Sequence, residues 1–322
     1  MKITSLLTLL AVVLSYIFSA DCAVAAMFGS GANTFEIKFA TIGDPLNLPD
    51  TTGNPNPAGS VAQAFRMGKL EVSEQMIVKA NAEGGLGITK DTRGADKPAT
   101  SVSWNEAARF VNWLNTSSGS SPAYKFALQP GDVGYSANAN IELWSISDPG
   151  YNPANLYRNS LARYFLPSVD EWYKAAYYDP TSGVYYDYPT GSDTAPTSVN
   201  SGTAAGTAVY TRPFGQGPAD ITLAGGLSPY GTRGQGGNVF EWEETDFELV
   251  NGPTLTTAAR GLRGGYWSAG PINLLSSNRL NGLPTGGNNV TGFRVSTTIP
   301  EPSTVLLAAL AGLGLLWRRP AR

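Results

Sequence analysis

The chain is 322 residues long, 42% apolar and 15% charged, with a formal net charge of −3, no histidine and a single cysteine. Apolar content of this size supports a substantial core and excludes a chain disordered throughout, while the lack of any Lys/Arg run excludes the electrostatic footprint that phosphate backbones need, so no nucleic-acid partner is expected. The 37 glycines and 22 prolines predict a loop-rich surface shaped by turns, with few long regular elements.

Lys2, the apolar stretch 6–18 and then Ala23-Val24-Ala25 before Ala26 read as a secretory signal peptide over residues 1–25, cleaved near Ala25. Cys22 leaves with it. A lipoprotein reading of Cys22 is weakened by Asp21, which stands where a small residue is required. The mature chain then holds neither thiol nor imidazole and cannot use a disulfide even in an oxidising compartment.

Phe35, Ile37 and Phe39 alternate with Glu36 and Lys38, which predicts a half-buried strand. Breaker clusters at Gly43-Asp44-Pro45 and Gly53-Asn54-Pro55 follow, and a second strand is predicted over 67–72. A short helix after Ser73 should turn Met76, Ile77 and Ala80 inward and end near Gly84-Gly85. Ser103 with Glu106, and Ser168 with Glu171, have capping-box spacing, in which the hydroxyl takes an orphan amide and the carboxylate reaches back to the cap. Both glutamates are therefore read as caps before any chemistry is assigned to them. Behind the first box, Ala107, Phe110, Val111 and Leu114 form one buried face, flanked by Trp104 and Trp113 and ending by Asn115 or Gly119. The stretch 177–237 has no periodic element, but its tyrosine clusters at 177–180 and 185–189 predict ordered loops packed on the core, because linkers lack aromatic area.

The most specific pattern lies in Gly237-Asn238-Val239-Phe240-Glu241-Trp242, Arg263-Gly264-Gly265-Tyr266-Trp267 and Gly292-Phe293-Arg294, read together with 103–108 and 166–172. This train resembles the domain of the formylglycine-generating enzymes, or sulfatase-modifying factors, over roughly residues 35–296. The resemblance implies an α+β fold related to C-type lectins, with low regular secondary structure, in a single domain over residues 26–298. At the other end, Pro300-Glu301-Pro302-Ser303, an apolar stretch over 305–317 and Arg318-Arg319 resemble a PEP-CTERM sorting tail over residues 299–322. The stretch would rise about 20 Å as a helix, short of a hydrocarbon core of about 30 Å. Its arginines would stay cytoplasmic by the positive-inside rule. The resemblance implies transient membrane contact through the tail, processing by an exosortase, and an exported protein at the outer surface of, or outside, a Gram-negative bacterium; a plain tail anchor is the alternative.

Oxidase members of the family use a cysteine pair near the end of the domain to bind copper, and sulfoxide-synthase members hold iron with histidines. With no cysteine after Cys22 and no histidine, neither copper nor iron is expected, and triad and zinc chemistry are equally unavailable. Oxygen ligands remain, and they suit calcium. Family members bind calcium near the loop 228–241, so the resemblance implies a metal set of Ser228, Gly231, Asn238 and Glu241, although Ser228 replaces a usual Asn and Gly234 a usual Asp. The competing reading pairs Glu241 with an arginine such as Arg263. Trp242, Arg263, Trp267 and Arg294 form a ligand-binding set if exposed, and a set of loop locks and core aromatics if buried.

The expected function is a secreted or surface-sorted, non-catalytic binding module associated with exopolysaccharide or a cell-surface protein. A carboxylate-dependent glycoside-active enzyme drawing on Asp170, Glu171, Glu241, Glu243, Glu244 and Asp246 is the alternative.

Overall fold

Alternating burial along the predicted first strand sets the layering of the whole domain. In the computed structural model, which describes residues 24–249 and 255–299, that strand is β2 (Phe35–Ile42). It follows β1 (Val24–Phe28) and precedes β3 (Phe65–Gly68) and helix α1 (Glu74–Gly84). Helix α2 (Trp104–Ser117), strand β4 (Tyr164–Phe165) and helix α3 (Val169–Tyr177) come next. Four two-residue strands follow: β5 (Tyr178–Asp179), β6 (Val184–Tyr185), β7 (Thr197–Ser198) and β8 (Thr207–Ala208). The last strands are β9 (Phe240–Asp246), β10 (Arg260–Arg263), β11 (Leu280–Gly282), β12 (Thr291–Gly292) and β13 (Ser296–Thr298).

Two principal sheets result, ordered β1-β2-β3-β13-β4 and β11-β10-β9-β12. All pairs in the first are antiparallel; in the second only β12 runs parallel, against β9. Phe35, Ile37 and Phe39 of β2 pack in the main core with Phe110, Val111 and Leu114 of α2. Ala40 and Ile42 face the other way, with Phe65 and Met67 of β3, and meet Trp172, Tyr173 and Tyr177 of α3. The first sheet is thus covered on both faces by capped helices, as the period-2 alternation of a strand allows.

Both capping boxes form: Ser103 Oγ accepts from Glu106 N and Ser168 Oγ from Glu171 N, and each glutamate accepts from its cap's backbone amide. Helix α2 departs from a one-faced helix, because residues 104–115 are all buried. Its polar side is covered through amide side chains. Asn112 exchanges two hydrogen bonds with the backbone of Tyr124, and Asn115 bonds the backbone of Arg163 and Tyr164. The strand expected over 67–72 is shorter and starts earlier, at Phe65. Its continuation leaves the sheet so that Glu71 can enter the core, while Val72 N still donates to Phe293 O at 3.0 Å.

Stretch 177–237 is ordered, as its tyrosines predict. Tyr178 and Tyr185 pair across a hairpin with ring centroids 4.9 Å apart, and Tyr185 donates to Gly59 O at 2.7 Å. Of the predicted signal peptide only Val24 and Ala25 are described, and of the predicted tail only Ile299. Among the described residues no helix is long and apolar enough to cross a membrane.

Candidate functional site

Strand β9 carries Glu241, Glu243 and Glu244, acids that a central strand rarely tolerates. Their exposure is 0–1%, so each needs a partner. Glu241 is gripped at both oxygens by Arg294, at 2.5 Å to Nε, and also accepts from Trp172 Nε1 at 2.7 Å. The arginine that closes on Glu241 is therefore Arg294, not Arg263. Glu243 bridges two arginines, Arg263 at 2.5 Å and Arg279 at 2.8 Å. Glu244 accepts from Tyr124, Asn155 and Arg158, and Arg158 spans from it to Glu171. Burial opposes ionisation of Glu171, but the Arg158 guanidinium outweighs it and holds this carboxyl below its ordinary range.

Among the described residues Arg260 has no carboxylate partner. Its guanidinium lies between Trp104 and Tyr157, 4.3 and 3.7 Å from the ring centroids, and donates to Glu244 O at 3.0 Å. Cation–π contact substitutes in part for a counter-charge.

The Gly237-Asn238 turn explains the most specific motif. A Cβ on Gly237 would stand 2.2 Å from Val209 O, at φ +86°, so only glycine fits. Asn238 (φ 61°) then welds four segments. It accepts from Ala219 N and Trp267 N, donates its backbone amide to Val209 O, and donates its side-chain amide to both oxygens of Glu71. The sequence offers for Glu71 only the likeness of Glu71-Val72-Ser73 to the strand end and helix start early in the family domain, which assigns the carboxylate no role. Burial first, and the Glu241 carboxylate second, push Glu71 well above the usual carboxylate range, with Arg294 and Asn238 opposing them.

The expected metal set is not gathered around one cavity. Ser228 shares a hydrogen bond with Thr232 at 2.7 Å, Gly231 closes a turn onto Ser228, Asn238 is occupied as above, and Glu241 belongs to Arg294. The expected ligand set is also drawn inward: Trp242, Arg263, Trp267 and Arg294 are 0–1% exposed. Trp242 donates to Val102 O and Trp267 to Phe214 O, both at 3.0 Å. These four lock loops and fill the core, the arrangement expected of them when buried. The physical reason is that Arg263 and Arg294 offset their desolvation through carboxylates and further hydrogen bonds inside the fold, and the two indoles bury large apolar area while their N–H groups find carbonyls.

The acid pool needed for glycoside hydrolysis is committed too. Each of the six acids already accepts a hydrogen bond from the protein, including Asp170 from Gly59 N and Asp246 from Glu248 N. Glu171 reaches a groove of about 780 Å³, but with its carboxylate held by Arg158. The segment 274–292, where the resemblance places the oxidase cysteines, holds neither cysteine nor histidine. Its Ser276 and Asn278 carbonyls instead accept from Arg263 at 3.2 Å.

The profile of the sulfatase-modifying factor enzyme 1-like domain matches residues 39–299, and that of the PEP-CTERM protein-sorting motif matches residues 298–319. The sorting motif indicates export and surface association in Gram-negative bacteria, with exosortase-dependent processing. Among solved structures, Treponema denticola variable protein 1 is 20% identical with a TM-score of 0.59, covering 86% of this chain and 99% of its own. The crystal structure of CarF is 20% identical with a TM-score of 0.55, covering 82% and 99%. These likenesses establish the fold. No protein of curated function matches the chain.

Proposed function

The chain belongs to the sulfatase-modifying factor enzyme 1-like family, and from that membership we propose that it is a non-catalytic binding module, sorted to the cell surface, for exopolysaccharide or another envelope component. The observation that carries this reading is the donor set: no cysteine follows Cys22 and the chain has no histidine, so the thiolate and imidazole ligands used by the family's copper and iron sites have no counterpart in the domain. Supporting it, the acids and arginines of the family motifs are spent on buried ion pairs rather than aimed at a cleft.

Mature protein mixed with a cysteine-containing sulfatase peptide, copper and oxygen should yield no aldehyde by mass spectrometry. Sedimentation with exopolysaccharide from the producing cells should bring the protein down. Formylglycine turnover, or failure to bind any envelope fraction, would overturn the reading.

A further inference from the structure

A groove of about 780 Å³ runs past the end of the domain, but a second, of about 580 Å³, has the more telling lining. It lies between the Arg109-Trp113-Thr116 side of α2 and the loop after it. Trp113, Tyr124, Phe126 and Trp144 supply aromatic surface, Arg109 and Lys125 supply cations, and no Asp or Glu lines it. Its volume is within the usual range for small-ligand sites.

Two donors there lack a protein acceptor among the described residues. Trp104, Trp144, Trp172, Trp242 and Trp267 all donate their indole N–H to a protein oxygen. Among the described residues Trp113 alone of the tryptophans has no such acceptor. Its nitrogen is kept clear by Gly84, where a Cβ would stand 2.9 Å away. Arg109 is 2% exposed. It donates to the carbonyls of Leu128 and Ser136, stacks 3.6 Å from the Phe126 centroid, and has no hydrogen-bond partner at Nε. Among the described residues no carboxylate pairs with this buried cation, in contrast to Arg158, Arg263, Arg279 and Arg294. Lys125 is shared with Asp148 at 2.9 Å. A buried guanidinium without a counter-ion favours an anion nearby, and aromatic faces beside free N–H donors suit a ring that is apolar on its faces and rich in acceptors at its rim.

We propose that this groove binds an acidic saccharide, a segment of uronate-type pyranoses, with rings packed on the tryptophans and carboxylates drawn by Arg109 and Lys125. The proposal rests on the binding-module reading and gives it a site.

The test is titration of ¹⁵N-labelled mature protein with oligogalacturonate, with its methyl ester as an uncharged probe of the same shape. The indole N–H signal of Trp113 should shift on binding while that of Trp242, enclosed in the core, stays in place. Affinity for the acid should exceed that for the ester by about tenfold or more. Trp144→Ala, with its fold verified by an unchanged melting profile, should weaken binding at least tenfold; Lys125→Met, at a partly exposed position, should weaken the acid and spare the ester. Equal affinity for both probes, or binding that leaves Trp113 unmoved and survives both substitutions, would overturn the groove assignment and leave the module reading intact. No binding of either probe, with envelope fractions still bound, would do the same. No binding of probe or envelope would sink both.

Discussion

Glu71 and Glu243 show two ways of keeping a carboxylate inside this protein. Glu71 is fully buried beside the Glu241 carboxylate, and these two effects outweigh Arg294 and the Asn238 amide, so its folded-state pKa lies well above the ordinary value of 4.5. The folded protein therefore holds this proton where the unfolded chain has released it, and this group makes stability fall as pH rises from about 4.5 through the folded pKa. Replacing it in Glu71→Gln should flatten that decline, and denaturant unfolding of both proteins from pH 5 to 8 would reveal it; an unchanged slope would refute the assignment. Glu243 lies between two arginines that, among the described residues, pair with no other carboxylate. Glu243→Ala leaves both cations buried and unpaired, which should cost about 3–5 kcal/mol, readable as a drop in the urea midpoint at constant m-value. The acids on β9 were visible in the sequence, but their partners were not, because Arg263, Arg279 and Arg294 are equivalent candidates until the chain folds. Strands on both sides of β9 meet Glu241: β10 sets Arg263 opposite it and β12 sets Gly292 beside it, and Arg263 reaches along β9 to Glu243 while Arg294 takes Glu241.

The helices are where local sequence and final structure agree most closely. Ser103-Glu106 and Ser168-Glu171 close their boxes through backbone atoms within one turn, so nothing distant is needed to form them. Ser168→Ala should cost about 1 kcal/mol and lower the thermal midpoint by a few degrees. Ser103→Ala should cost more, because that hydroxyl also bonds Asn138 at 2.8 Å. Equal losses at the two sites would show that this extra contact contributes nothing. The strand expected over 67–72 was misjudged at both ends because its last residues serve the interior through Glu71, which no period-2 pattern encodes. Likewise, α2 reads as one-faced, yet Asn112 and Asn115 bury its second side by bonding loops that lie 12 and 49 residues away in sequence.

At the scale of the molecule, the ends of the domain meet in one sheet. Strand β13 lies between β3 and β4, and β1 occupies an edge of the same sheet. Cleavage after Ala25, the processing we propose for the signal segment, preserves the pairs from Ala26↔Ile37 to Phe28↔Phe35. N-terminal sequencing of the surface protein should begin at Ala26. Truncation before Ser296 removes an interior strand and should abolish cooperative unfolding, whereas truncation after Ile299 should preserve it. Because Glu241 is neutralised by Arg294 within the fold, chelation should leave the melting temperature unchanged; a clear rise with added calcium would restore the metal reading.

The sequence by itself determined the family, the caps, the order in the tyrosine-rich stretch and the absence of histidine and of any cysteine after Cys22, since each depends on residue identity or on spacing within a turn or two. Tertiary structure alone decided that Trp242, Arg263, Trp267 and Arg294 are enclosed, that Glu71 joins them, and that Trp113 rather than Trp242 borders open space. Those outcomes depend on which distant segments are brought together, and burial is a property of the packed chain that no single residue carries.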